Sequence, residues 1–301
     1  MHTFHKELEQ IKDIEVKRDI PLRDFTTFRI GGRAGLFILP KSHEGLRCVV
    51  SFLNSYGKQY HILGGGSNLL VNDRDFDIVI SLKALNYIAD VQTKDNGELL
   101  ATFYAGLSLK KTLSWLLQRG FSGFEDLTGI PGSIGGAIKM NAGVKEFSIA
   151  DNLTGVLILQ DDTINWVERD KINFSYRSSG LPDGCIIIAG RFIFTKKEKK
   201  EILNKIMYKI QMRNRTQPIS KASAGCIFKN PVDAAAGKLI EICGLKGKTI
   251  GNAMVSIKHA NFIINKGKAS FNDVVGLIDH VKESVYKKTG YVLQNEVKIW
   301  Y

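Results

Sequence analysis

Two glycine clusters, set among short apolar runs, constrain what this 301-residue chain can fold into more than any other feature. The first, Gly64-Gly65-Gly66-Ser67-Asn68, follows the apolar run Tyr60–Leu63 and leads into Leu69–Val71. The second, Gly129-Ile-Pro131-Gly132-Ser133-Ile-Gly135-Gly136, opens a short segment that ends at Asn141-Ala-Gly143. Backbone without a side chain can turn to left-handed φ and bring its N–H groups close to a ligand, which suits a diphosphate. Tight turns alone have the same composition, so either cluster by itself leaves both readings open. Neither cluster contains G-x-x-x-x-G-K-[ST], and Gly64–Asn68 does not open a helix as G-x-G-x-x-G does. A P-loop NTPase and an ordinary Rossmann domain are therefore disfavoured. Glycine numbers 29 residues against 6 prolines, but it has no fixed period, which excludes collagen and solenoid repeats.

The apolar pattern around the clusters predicts an α+β chain. Glu44–Tyr56 places Leu46, Val49, Val50 and Leu53 at helical spacing and stops at Gly57. Strands are expected at Tyr60–Leu63, Leu69–Val71, Ile78–Leu82, Leu99–Tyr104, Gly155–Leu159 and Cys185–Phe194. Ser108 and Gly120 bracket a helix whose apolar face is Leu109, Leu113, Leu116 and Leu117. Pro131 is compatible with a first helical turn, where a missing N–H costs nothing. Lys196–Arg215 reads as a charged helix with the stripe Ile202, Leu203, Ile206 and Ile210, broken at Gln217-Pro218. A last helix runs from about Phe271 to Lys288, with Ser270 and Asp273 as a capping box and Gly290 as its stop. These elements group into three parts, 1–80, 81–195 and 196–301.

Charge is distributed unevenly. Residues 1–195 carry equal numbers of basic and acidic side chains, so the whole net charge of +12 lies after residue 195. A basic third beside a neutral remainder suggests that this region receives an anion. Its basic residues are scattered without interleaved aromatics, which argues against nucleic acid and leaves a smaller anion such as a nucleotide sugar. Cys48, Cys185, Cys226 and Cys243 form no C-x-x-C pair, so neither a metal site nor a disulfide framework is expected. The first twenty residues lack an apolar signal core, and no uncharged run reaches the ~18 residues of a membrane helix. A cytoplasmic protein, monomeric and not bound to membrane, is the expectation. Ser55-Tyr-Gly-Lys58 and Lys288-Thr-Gly290 match two penicillin-recognising motifs, but Gly57 breaks the turn that would aim the lysine and no S-D-N triplet occurs. The histidines do not pair at ligand spacing, and His259 reads as a structural hydrogen-bonder.

Taken together, seven segments point further: Thr26-Thr-Phe-Arg-Ile-Gly-Gly32, Gly64-Gly-Gly-Ser-Asn-Leu-Leu70, Gly129–Gly136, Tyr176-Arg177-Ser178, Ser223-Ala-Gly-Cys226-Ile-Phe-Lys229-Asn230-Pro231, Ala236-Gly-Lys-Leu-Ile240 with Gly244-Leu-Lys-Gly247, and Asn295-Glu296-Val297. In this order and spacing the chain, from about residue 22 to 298, resembles the UDP-N-acetylenolpyruvoylglucosamine reductase family. The resemblance implies a two-subdomain FAD-binding fold of vanillyl-alcohol-oxidase type plus a C-terminal α+β substrate-binding domain. It implies that Gly64, Gly65, Gly66, Ser67 and Asn68, with Gly129, Pro131, Gly132, Ser133, Gly135, Gly136, Asn141 and Gly143, line non-covalent FAD. It places Tyr176, Lys229 and Asn230 at the UDP-sugar, with Arg213 and Arg215 as weaker candidates for phosphate contact. The chain between Arg177 and Cys226 is too short for the extra insert of the family's longer form, so the short form is expected.

The implied reaction is a UDP-N-acetylmuramate dehydrogenase step in peptidoglycan precursor synthesis. NADPH reduces FAD, hydride passes to the vinyl methylene carbon of UDP-N-acetylglucosamine enolpyruvate, and the neighbouring carbon is protonated. By resemblance, Arg177 holds the substrate carboxylate, Glu296 in protonated form stabilises the developing enolate, and Cys226 donates the proton. Cys226 is the departure, because the family usually has serine there. With a reference pKa of ~8.5 a thiol is the more acidic donor, so the step remains chemically reasonable. Outside this context Cys226 would read as a small core residue, Arg177 as a surface ion-pair partner and Glu296 as a solvated strand residue. Another FAD oxidoreductase of the same fold would share the glycine clusters without needing Arg177, Cys226 and Glu296 together. A non-catalytic nucleotide-sugar or flavin binder would show no NADPH oxidation.

Overall fold

A computed structural model describes residues 2–301. Its helices are α1 (His2–Glu9), α2 (His43–Ser55), α3 (Leu109–Arg119), α4 (Ile134–Lys139), α5 (Lys199–Thr216), α6 (Ala236–Ile242) and α7 (Phe271–Thr289). The chain divides into two compact units. One comprises the residues up to Asp19, Gly35–Gly65 and Asp77–Ile210; the other comprises Ile20–Ala34, Gly66–Phe76 and Gln211–Tyr301.

The first unit holds two cores. In one, a four-stranded sheet in the order Ile14–Pro21, Arg33–Pro40, Phe76–Ser81, His61–Leu63 is associated with α2, which buries Leu46, Val49, Val50 and Leu53 at the spacing read from sequence. Ser42 starts α2 by accepting a hydrogen bond from Gly45 N at 3.0 Å. The other core lies on an antiparallel sheet ordered Thr163–Glu168, Leu153–Gln160, Ile186–Lys196, Leu99–Tyr104, Ile88–Thr93. Phe103, Phe124, Phe192 and Phe194 form its centre, all but fully buried, with ring centroids 5.0–6.4 Å apart. α3 caps as expected: Ser108 accepts from Lys111 N, and Gly120 closes it at φ 71°.

The second unit is organised by α7. Val274, Leu277, Ile278, Val281 and Val285 recur at helical spacing and join Ile227, Phe228, Leu239 and Ile240 in one core. Phe28, Ile30 and Leu70 enter the same core from the N-terminal half. This is why segments 20–34 and 66–76 belong to the C-terminal unit. Leu69–Val71 pairs in parallel with the last strand, Lys298–Trp300, while His61–Leu63 pairs in parallel with Phe76–Ser81. The two strands that flank the first glycine cluster therefore enter different sheets.

Three sequence expectations are corrected. α5 begins at Lys199 rather than Lys196, because Lys196 still pairs with Phe121 at the end of a strand. Only Ile202 and Ile206 of its stripe are buried; Leu203 and Ile210 are 42% and 43% exposed. Pro131 is not in a first helical turn, since α4 starts at Ile134 with Ser133 as its N-cap. No described helix is long and apolar enough to cross a membrane.

Candidate functional site

Within the first unit Gly64 and Gly65, the start of the first glycine cluster, meet the second cluster. A Cβ on Gly65 would lie 2.8 Å from Gly132 Cα and 2.9 Å from Ser133 N, so any larger residue would push the two backbones apart. A Cβ on Gly64 would stand 3.2 Å from Ser133 Oγ, and one on Gly136 would stand 3.7 Å from it. Ser133 is buried, and its hydroxyl has no hydrogen-bond partner among the described residues. Gly65, Gly129, Pro131 and Gly136 are exposed. Gly135 is buried against Ala105, where a Cβ would come within 2.7 Å of the alanine methyl. The result is a surface of bare backbone around one sheltered hydroxyl.

Beside it in sequence, Asn141 and Gly143 join the Tyr176-Arg177 turn. Ser175 and Ser178 exchange backbone hydrogen bonds of 3.0 and 3.1 Å, which makes Tyr176 and Arg177 the two central residues of a tight reversal. Arg177 is held at φ 59°, a conformation that bulky residues rarely adopt. Its Nη1 donates to Gly143 O at 3.2 Å, and its guanidinium lies 5.1 Å from the Tyr176 ring centroid. Asn141, also left-handed at φ 41°, donates from Nδ2 to Ser175 O at 3.1 Å. Its Oδ1 is buried without a partner among the described residues.

The second unit brings Cys226 and Glu296 onto neighbouring segments. Ile227 O accepts from Glu296 N at 2.7 Å, and Lys229 N donates to Gln294 O at 2.9 Å. On the other side Cys226 bridges to Phe262. Asn261, 3% exposed, fixes the register: Phe228 N donates to its Oδ1 at 2.9 Å, and its Nδ2 donates to Phe228 O at 2.8 Å. Asn68 Nδ2 donates to Glu296 O at 3.2 Å, and Thr27 Oγ1 donates to Ser223 O at 2.7 Å. Gly66 and Ser67 lie in this unit too, where their carbonyls accept from the Thr27 hydroxyl at 3.5 Å. Asn230 is exposed, and its Oδ1 accepts from Ala236 N at 3.0 Å at the start of α6. Among the described residues no group of acidic, histidine or cysteine side chains could hold a metal ion.

An open hollow of about 470 Å³ lies along α6 in the same unit, lined among others by Gly237, Lys238, Glu241, Lys246, Lys258 and His259. Lys246 Nζ is 2.6 Å from Glu241, and Lys258 donates to Asn214 O. Burial, and then the nearby Lys246 charge, push the His259 pKa down, favouring the neutral ring. Its Nδ1 accepts from Asn261 N at 3.3 Å, which agrees with the structural reading of that histidine. Three lysines against one glutamate make the hollow receptive to an anion. Sequence reasoning singled out neither Lys258 nor Asn261; the excess of basic residues after position 195 was the only signal toward the lysines.

Of the residues singled out from sequence, Arg177 stands with Asn141, Gly143 and Tyr176 in the first unit. Cys226 and Glu296 stand with Asn68, Lys229 and Asn230 in the second.

Comparison with known proteins agrees along the chain. Residues 34–164 match the family described as FAD binding domain, and residues 217–300 match UDP-N-acetylenolpyruvoylglucosamine reductase, C-terminal domain. The UDP-N-acetylenolpyruvoylglucosamine reductase of Anoxybacillus flavithermus is 38% identical over 99% of this chain and 99% of its own. That of Bacillus subtilis is 36% identical over 98% of each. The crystal structure of the Thermus caldophilus UDP-N-acetylenolpyruvylglucosamine reductase is similar with a TM-score of 0.80 and 35% identity, covering 96% of this chain and 100% of that one. An alkyldihydroxyacetonephosphate synthase, 20% identical, has a TM-score of 0.50 over 65% of this chain and 40% of its own, a likeness of fold alone. The α+β architecture thus joins a FAD-binding domain to a C-terminal domain, and the chain belongs to the UDP-N-acetylenolpyruvoylglucosamine reductase family of FAD-dependent oxidoreductases.

Proposed function

We propose that this chain reduces UDP-N-acetylglucosamine enolpyruvate to UDP-N-acetylmuramate, a peptidoglycan precursor, at the expense of NADPH. The observation that carries the reading is the pairing of the Cys226 segment with the Glu296 segment through Ile227 O. A proton donor and a carboxyl-bearing residue on hydrogen-bonded neighbouring segments suit a reaction that must stabilise and then protonate an enolate.

The residues of the first unit fit FAD. The exposed backbone at Gly65, Gly129 and Gly136 and the unpartnered Ser133 hydroxyl offer N–H and O–H groups to a diphosphate where no side chain intrudes. The Asn141 amide oxygen is a further acceptor in that region. Bound there, FAD would supply the hydride that the reduction requires. Gly64, Gly132, Gly135 and Gly143 shape the same binding region, and Gly66, Ser67 and Asn68 complete the first cluster.

Arg177 presents its guanidinium to the substrate carboxylate, whose negative charge grows as hydride adds. Its left-handed backbone is consistent with a side chain aimed for that purpose rather than for packing. Glu296, protonated, hydrogen-bonds the developing enolate, and Cys226 passes its thiol proton to the adjacent carbon. The carbon–carbon double bond is then saturated, and the thiolate regains a proton from water. Lys229, Asn230 and Tyr176 orient the sugar nucleotide, and the lysines of the α6 hollow attract its diphosphate. We further propose the three-part functional division at 80 and 195, two parts for FAD and one for the UDP-sugar, and a monomer in the cytoplasm.

Purified protein is expected to be yellow and to release FAD on denaturation. NADPH should bleach the flavin absorbance, and the UDP-enolpyruvyl sugar should restore it with one product formed per cycle. Bleached flavin that the sugar nucleotide leaves unaltered would overturn the substrate assignment.

A further inference from the structure

The short turn Glu125–Leu127 runs directly into the second glycine cluster. Asp126 in that turn is only 16% exposed, and its carboxylate lies 2.6 Å from Lys205 Nζ and 2.5 Å from Lys209 Nζ. Those two ammonium groups are four residues apart and therefore on one side of α5. Pairs on open surface look different: the carboxylates of Lys197–Glu201 and Lys287–Glu283 are 61% and 62% exposed. A sheltered carboxylate gripped by two cations resists rearrangement where an open pair does not. The two lysines also hold the Asp126 carboxyl below its ordinary value, against the opposing effect of burial.

What the clamp holds is rigid and short. Leu127 N donates to Phe124 O at 3.0 Å, Thr128 N to Glu125 O at 3.1 Å, and Ile130 N to Leu127 O at 3.0 Å. Glu125, 2% exposed, accepts from Gly123 N at 3.0 Å. Thr128, 3% exposed, follows, and its hydroxyl has no partner among the described residues. A buried hydroxyl without a partner is destabilising unless something outside the chain satisfies it. Gly129, at φ 78°, then begins the bare backbone that faces the first cluster.

We propose that Asp126 is a positioning residue for the cofactor: gripped by Lys205 and Lys209, it holds the Glu125–Gly129 turn so that the Thr128 hydroxyl and the second glycine cluster receive FAD. The inference rests on the FAD reading above, and the test separates the two. Apoprotein is titrated with FAD, and binding is followed by quenching of flavin fluorescence. Asp126→Asn and the double variant Lys205→Met/Lys209→Met should each raise the FAD Kd about tenfold. Combining all three substitutions should add little, because they break one unit. Asp126→Glu should recover most of the affinity, Thr128→Val should weaken binding, and Thr128→Ser should not. Glu168→Gln, which breaks the Arg191–Glu168 pair elsewhere in the same unit, controls for general destabilisation and should leave the Kd unaltered. Kd values within twofold of wild type in both Asp126→Asn and the double lysine variant overturn the inference, as does an equal rise in Glu168→Gln. Wild-type apoprotein that binds no FAD would instead sink the cofactor reading itself.

Discussion

Cys226 stands on a backbone that leaves it little freedom. Its neighbours Ile227 and Phe228 are fully buried and hydrogen-bonded to Asn261 and Glu296 on either side. The backbone that carries the thiol is therefore fixed by these hydrogen bonds. Replacing it should alter chemistry more than fold. Cys226→Ala is expected to keep flavin reduction by NADPH while product formation falls roughly 10²–10⁴-fold, the usual range for loss of a positioned proton donor. Stopped-flow measurement of the two half-reactions separates these effects, and product formation at the wild-type rate would remove Cys226 from the mechanism. Cys226→Ser should retain much of the activity, because a hydroxyl can occupy the same position. Cys226, Glu296 and Arg177 are proposed from their flanking motifs, and the sequence carries that proposal. Asn261 was not legible there, because an asparagine that pins another segment through both ends of its amide has no local signature.

At the scale of the element, α7 shows how directly local sequence can write structure. Ser270 accepts from Asp273 N at 3.1 Å, and Asp273 accepts from Ser270 N at 3.1 Å, closing the capping box read from sequence. The fold adds a further bond, from Asn252 N to Asp273 Oδ2 at 3.0 Å, which ties the helix start to the turn after Thr249–Ile250. Asp273→Ala should destabilise the protein by about 1–2 kcal/mol, measured by chemical denaturation. The backbone N–H groups of Asn252 and Ser270 lower the Asp273 pKa below its ordinary 3.8. Unfolded chain thus binds the proton more readily, so this contribution is complete above that ordinary value and is lost as pH falls through the lower folded one. An acid-denaturation curve for Asp273→Ala should accordingly be flatter below pH ~4 than that of the wild type. α5 marks the opposite case. Its charged pattern predicted a helix correctly, but its start was misplaced, because Lys196 is held in a strand by pairing with Phe121.

At the scale of the whole molecule, the uneven charge acquires a location. Part of the excess after residue 195 lines the α6 hollow, where Lys238, Lys246 and Lys258 outnumber Glu241. Lys246→Ala and Lys258→Ala should each raise the KM for the sugar nucleotide about tenfold with little effect on kcat, as expected for binding that is equal in ground and transition states. Raising ionic strength from ~0.05 to ~0.5 M should weaken wild-type substrate binding, and the Lys246→Ala/Lys258→Ala double variant should respond less. KM values that salt and both substitutions leave unaltered would show that the diphosphate is held elsewhere.

Helices with both ends marked by caps, strands with apolar runs, and a basic C-terminal third were all determined by the sequence alone. Each depends on neighbours within about one or two turns of chain, or on composition. Only the tertiary structure decided that Phe28 and Leu70 share a core with α7, and that the strands around Gly64–Asn68 part company into different sheets. The same holds for the contact of Gly65 with Gly132. These arrangements come from pairing between segments far apart in the chain, where burial and ladder hydrogen bonds choose among partners that local patterns leave equivalent.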